Sequence, residues 1–163
     1  MRNTLIASAT LILLLSGSCT SDKDLARSSH VYGSASDSLF FSLERTPCFG
    51  KCAAYTVTID KFGNARWIGR SNTERPGTWK AQVSTMTMER LLSRANTIGF
   101  FDMADRYDGQ VTDLPSTIIR VNANGRDKKV VARYKIPPAF KPFAAFADSL
   151  LMPLAWTQVA ADQ

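Results

Sequence analysis

Two stretches of this chain alternate apolar and polar side chains with a period of two, and a tight-turn sequence breaks each one. In the first, Tyr55, Val57 and Ile59 alternate with Thr56, Thr58 and Asp60, Lys61-Phe62-Gly63-Asn64 supplies turn chemistry, and residues 65–70 (ARWIGR) run back. In the second, Thr117, Ile119 and Val121 alternate, Asn124-Gly125 marks the turn, and Lys129 to Tyr134 returns. Runs of this kind read as β-hairpins with one buried face. Asn-Gly suits a two-residue hairpin turn because both positions there need positive φ. Leu39, Phe41 and Leu43, alternating with Phe40, Ser42 and Glu44, predict a further strand, and Trp79 to Val83 after Pro76-Gly77 a short one.

The period then changes. Met88, Leu91, Leu92, Ala95 and Ile98 recur at helical spacing, with Ser84 or Thr85 to cap the start and Gly99 to stop the helix. Phe140, Phe143, Ala144, Ala147, Leu150 and Leu151 predict a second helix, with Pro142 in its first turn and Pro153 beyond its end. Strands come in blocks without strict alternation with helices, which argues an α+β fold. The expectation is an antiparallel sheet of four to five strands, built on two hairpins, with both helices packed on one face and the other face wet. The 163 residues suit a single domain, placed at 39–156, with 157–163 as a C-terminal tail. A chain of this size can bury roughly two-thirds of its surface and needs no metal to fold.

The N-terminus fixes the expected compartment. Leu5 to Leu15 is a mostly apolar run without a charge, preceded by Arg2 and followed by Ser16, Gly17, Ser18 and Cys19. The run (LIASATLILLL) holds Ser8 and Thr10 but no charge; it is shorter than the ~20 residues of a membrane span and has the form of a signal-peptide core. Leu15-Ser16-Gly17-Ser18-Cys19 resembles a bacterial lipobox, in which the cysteine is lipidated and becomes the new N-terminus. Leu stands one place earlier than usual, and Ser16 and Ser18 also satisfy ordinary signal-peptidase cleavage. Residues 1–18 are therefore read as a lipoprotein-type signal peptide, with Cys19 as the lipidation site. Residues 19–38, polar and Ser-rich, are read as a flexible tether. Either cleavage exports the protein. The expected location is the cell envelope, lipid-anchored and facing the periplasm, with a soluble periplasmic or secreted protein as the alternative.

Export leaves Cys48 and Cys52 as a pair in an oxidising space, where a disulfide is the economical state. Gly50 and Pro47 favour the turn that would bring them together. A redox pair or a metal site remains as an alternative. Thioredoxin-like chemistry uses a spacing one residue shorter, and a structural zinc needs four ligands while the only histidine is His30, in the tether. No metal site and no cofactor is expected.

No constellation of catalytic residues stands out. Without a second histidine no Ser-His-Asp or Cys-His arrangement has a base, and no phosphate-cradling Gly-rich loop occurs. Asp102, Asp105, Asp108 and Asp113 crowd one loop, but their spacing matches no Ca²⁺ loop, and Asp is common in loops as a turn former. The net charge of +6 is spread along the chain. Arg66, Trp67 and Arg70 hint only weakly at nucleic-acid binding, which export makes unexpected. An anionic membrane or glycan fits a basic exported surface better.

The stretch Arg45-Thr46-Pro47-Cys48-Phe49-Gly50-Lys51-Cys52, followed by Tyr55, Val57, Ile59 and Gly63, resembles the bacterial domain-of-unknown-function family 6438, whose core reads R-x-P-C-F-G-x-C-x-x-Y-x-V-x-I. Leu91-Leu92, Phe100-Phe101, Thr112 to Thr117 (TDLPST), Lys129-Val130-Val131 and Pro137-Pro138 match its later features. The likeness covers about Leu39 to Trp156 and departs at Ala53, where many members carry Pro. It implies an exported protein, often a lipoprotein, and no established activity.

The expected function is thus a non-enzymatic binding or interaction domain on a lipid tether. It would be a monomer that meets the membrane through its lipid and an envelope protein or glycan through its surface. The candidate contact residues are Phe49 in the cysteine loop, Arg66 and Trp67 on the wet face, and Asp113. The alternative is an exported redox or carboxylate-based enzyme using Cys48 and Cys52 or the region of Asp113.

Overall fold

The computed structural model describes residues 30–110 and 113–160. The residues read as a signal peptide, Cys19 and the first part of the segment read as a tether lie outside the described residues.

Strand β1 (Leu39–Arg45) is the member from which both hairpins hang. On one side it pairs antiparallel with β2 (Ala54–Asp60), which turns through residues 61–63 into β3 (Asn64–Ser71) and on to β4 (Gly77–Gln82). On the other side it pairs antiparallel with β6 (Thr117–Ala123), which turns through Asn124-Gly125 into β7 (Arg126–Ala132). Asn124 and Gly125 take φ of 52° and 73°, the left-handed pair that a two-residue hairpin turn demands.

Helix α1 (Thr85–Thr97) joins β4 to the far side of the sheet, and α2 (Phe140–Leu151) returns the chain. Ser84 caps α1, its hydroxyl accepting from the Thr87 N–H, and Gly99 leaves the helix at φ 66°. Met88, Leu91, Leu92 and Ala95 of α1, and Phe140, Phe143, Ala144, Ala147 and Leu151 of α2, join Phe41, Leu43, Val57, Ile59, Trp67, Ile119 and Val121 in one buried core. Each large side chain so buried contributes about 1.5–3 kcal/mol before the cost of ordering it.

The fold is α+β with two helices, as expected, but the sheet is larger than four to five strands. Among the described residues it has eight, in the order β5 (Arg106–Tyr107), β7, β6, β1, β2, β3, β4, β8 (Thr157–Gln158). The two hairpins share β1 instead of forming separate units, so all six long strands join one sheet. The edges are then closed by two-residue strands. β5 runs parallel to β7, and β8, in the segment read as a tail, pairs with β4. Strands so short carry no periodicity to read.

The start of the domain is also earlier than residue 39. The register of β1 against β2 slips between Leu39 and Phe41, and this bulge puts Phe40 and Phe41 both fully in the core. The strict alternation expected there places Phe40 outside. Tyr32 packs edge-on against Phe40 at 4.6 Å between ring centres. The Gly33 N–H donates to the Asn122 carbonyl, and Tyr32 bridges to Ala123. Asp37 pairs with Arg120. From residue 30 onward the segment expected to be a tether is laid along β6, because Phe40 needs a cover.

A glycine fixes how closely the β3–β4 connection lies on the sheet. A Cβ on Gly69 would come 1.9 Å from the Arg75 carbonyl oxygen. Gly69→Ala is expected to destabilise the domain by about 1–3 kcal/mol through forced displacement of that connection, read as a shift in the denaturant midpoint. Gly125→Ala, which meets nothing within 4 Å, should cost only its backbone strain of about 1–2 kcal/mol.

Candidate functional site

Between β1 and β2 lies a loop of eight residues, 46–53, and it is pinned at two levels. Cys48 and Cys52 are joined by a disulfide. Below them, Arg45 and Tyr55 face each other in the β1–β2 register, and Arg45 Nε donates to the Tyr55 hydroxyl at 2.9 Å. The Tyr55 hydroxyl donates in turn to Asp148 Oδ1 of α2 at 2.6 Å, while the Arg45 guanidinium forms an ion pair with Asp148 Oδ2. Arg45 also reaches Thr117 Oγ1. The outermost residues of the R-x-P-C-F-G-x-C-x-x-Y pattern are therefore a brace that fastens the loop to the helix layer.

The electrostatics follow the geometry. Burial, and then the hydrogen bond to and charge of Asp148, raise the Tyr55 phenol above its ordinary pKa. Burial works against the charge on Arg45, but the Asp148 carboxylate more than offsets it and raises the guanidinium. Tyr55 thus stays a neutral donor and Arg45 stays charged.

A third contact holds the loop from the other side. The Thr46 N–H donates to the Ser116 carbonyl at 3.0 Å, and the Ser116 N–H donates back to Thr46 Oγ1 at 2.7 Å. Ser116 is itself buried, and its hydroxyl accepts from Arg133 Nε. The two sequence features singled out earlier, the cysteine loop and residues 113–117, meet at one end of the sheet.

On this end the candidate residues separate. Phe49 stands at the tip of the loop with 90% of its surface exposed. Pro47, Cys48, Phe49 and Asp113 line a hollow of about 230 Å³. Arg66 is exposed on the wet face of β3. Trp67 is not, and the expectation that it shares that face is corrected here. Its ring is 1% exposed, stacked on Tyr55 at 4.3 Å and met edge-on by Trp156 at 5.9 Å. Arg66 and Trp67 are neighbours on a strand and so point to opposite faces. The aspartates of residues 102–113 are also dispersed: Asp105 pairs with Lys128, and Asp108 with Arg106 and Arg133. Among the described residues no group of three or more His, Cys, Asp or Glu could hold a metal ion.

A second hollow, which the sequence did not suggest, opens beside the loop. It measures about 700 Å³, and its lining includes Ala53, Tyr55, Trp67, Glu74, Asp148 and Met152. Hydrogen bonds frame it on every wall. Asn72 Nδ2 donates to the Cys52 carbonyl at 3.3 Å, Trp67 Nε1 to the Arg75 carbonyl at 2.8 Å, and the Arg75 guanidinium to the Met152 carbonyl at 3.0 Å. The Tyr55–Asp148 bond closes the frame. The one signal in the sequence was Asp148 itself, a carboxylate on the apolar stripe of α2 between Ala144 and Leu151, which demands a partner.

The brace makes two predictions. Asp148→Asn removes a charged acceptor and should cost about 1–3 kcal/mol of stability, read by denaturant unfolding. The raised phenol pKa means that folding holds the Tyr55 proton. Its contribution is full below the ordinary phenol pKa of about 10 and is lost as pH rises from there toward the elevated folded value. The wild-type melting temperature should therefore fall more steeply above pH 10 than that of Tyr55→Phe, and parallel curves would contradict the assignment.

Comparison with curated proteins and with solved structures finds no match. Among the described residues no helix is long and apolar enough to cross a membrane. A family model does match, over residues 39–151, which is most of the chain and includes both the cysteine loop and the α2 brace. The chain belongs to the family described as Domain of unknown function (DUF6438).

Proposed function

We propose that this protein is a cell-envelope lipoprotein, anchored through Cys19, whose domain binds another envelope component and performs no catalysis. The observation that carries the reading is Phe49. A phenylalanine 90% exposed at the tip of a closed loop gains about 1.5–3 kcal/mol on being covered. The disulfide, the Arg45–Tyr55 brace and the Thr46–Ser116 contacts have already restricted the loop, so little ordering cost is left for the binding step. Exposed aromatics of this kind are what interface hot spots are built from.

The direction of the chain supports the same reading. Residues 30–32 join the fold beside Asn124, at the β6–β7 turn: the Val31 N–H donates to Asn124 Oδ1 at 2.9 Å. The cysteine loop follows the other end of β1, and β1 runs antiparallel to β6. An anchor upstream of residue 30 would therefore hold the opposite end of the sheet and leave Phe49 pointing away from it.

Two measurements test this. The intact mass of membrane-extracted protein should show acyl chains on Cys19, with Cys48 and Cys52 unreactive to alkylation until reduced. Thiols that alkylate without reductant would put the redox reading first. A photo-crosslinking residue at position 49 should give a discrete adduct in cells that the same probe at position 62 does not. Phe62 is 70% exposed at the far end of β2 and makes a matched control. Phe49→Ala should change stability by no more than about 0.5 kcal/mol, and unfolding of that variant would place Phe49 in a structural role.

A further inference from the structure

The 700 Å³ hollow beside the loop has the size of a small-molecule site, and it is a built feature. Four separate tertiary hydrogen bonds fix its walls. They run from Asn72 to the loop at Cys52, from Trp67 to the Arg75 backbone, from the Arg75 side chain to the end of α2 at Met152, and from Tyr55 to Asp148. The Arg75 backbone can take its place only because position 69 is glycine. A hollow whose walls are tied together in this way does not need to be organised by its ligand.

Its lining has a definite chemistry. The apolar part is Trp67, Met152, Pro153 and Ala53. The charged part is Glu74, Asp148 and Arg75. The chain carries a net charge of +6, yet once Asp148 is neutralised by Arg45 and Arg75 is turned to the Met152 carbonyl, the charge left over in the lining is a carboxylate, Glu74. Asp148 is bound to Tyr55 and Arg45. Arg75 is committed to the Met152 carbonyl and lies 6.0 Å from the centre of the Trp67 ring. Glu74 lies at the rim and, among the described residues, its side chain forms no ion pair or hydrogen bond.

We infer that this hollow is a binding site for an organic cation with an apolar body, on the scale of a basic dipeptide. The apolar body lies along Met152, Pro153 and Ala53, and the ammonium or guanidinium pairs with Glu74. Glu74 is the one charge of the lining that takes no part in the frame. The site is distinct from Phe49, so it stands or falls apart from the binding surface proposed above.

The test is calorimetric titration of the intact domain with three N-acetylated, C-amidated dipeptides, Phe-Arg, Phe-Gln and Phe-Glu, whose charges are then +1, 0 and −1. Phe-Arg amide should bind, weaken several-fold between low and physiological salt, and exceed Phe-Gln amide by at least ~5-fold, with Phe-Glu amide weakest. Glu74→Gln should remove that preference with an unchanged melting temperature, because Glu74 takes no part in the frame, whereas Phe49→Ala should leave it intact. Equal affinity for all three dipeptides, no binding at millimolar concentration, or full retention of the preference in Glu74→Gln would each overturn the inference.

Discussion

The contact on which the rest depends is the meeting of Arg45, Tyr55 and Asp148. It joins the end of β1 and the start of β2 to α2, which lies about a hundred residues further along the chain. A carboxylate on the apolar side of a helix is costly unless its oxygens are satisfied, and here both are, one by a phenol and one by a guanidinium. The arrangement sets the height of α2 over the sheet. It also closes the base of the β1–β2 loop, so the disulfide above it works on a chain already brought to hairpin distance. In a sequence of five residues a cross-link alone removes little chain entropy. Joined to the brace, it fixes the position of a tip.

How far the fold was legible in the sequence depends on the length of the signal. Asn124-Gly125 specifies its turn through positive φ, and Ser84 and Gly99 specify the two ends of α1, because each is a local stereochemical demand. The bulge at Leu39–Phe41 is not local. It exists because Phe40 can be covered by Tyr32, a contact that brings in a polar segment with no periodicity of its own. β5 and β8 are likewise products of the sheet they close, since two residues acquire strand geometry only when a neighbour offers its edge.

The candidate site shows the same division. The cysteine pair and the loop it closes were readable from composition and compartment. Trp67 was not, because residues 65–70 carry Trp67 and Ile68 side by side and two phases of alternation are open. Arg75 settles the phase in the structure: its carbonyl takes the Trp67 indole N–H, and that bond exists only with the ring turned inward. The large hollow was invisible for a related reason. Its walls come from β2, β3, the β3–β4 connection and α2, and three of the four bonds that frame it join residues 20 or more positions apart.

The loop and the hollow share a wall, and this joins the two halves of the functional reading physically. Cys52, whose carbonyl accepts from Asn72, is both the second half of the disulfide and part of the frame around the hollow. Tyr55 is both the base of the loop and a lining residue. A ligand that pressed on the hollow would act on the same bonds that position Phe49. Those bonds are several, and they tie both ends of the loop to the sheet and to α2. The two surfaces are thus held in a fixed relation, at the end of the sheet opposite the point where residue 30 joins it, by residues whose first role is to keep α2 on the sheet.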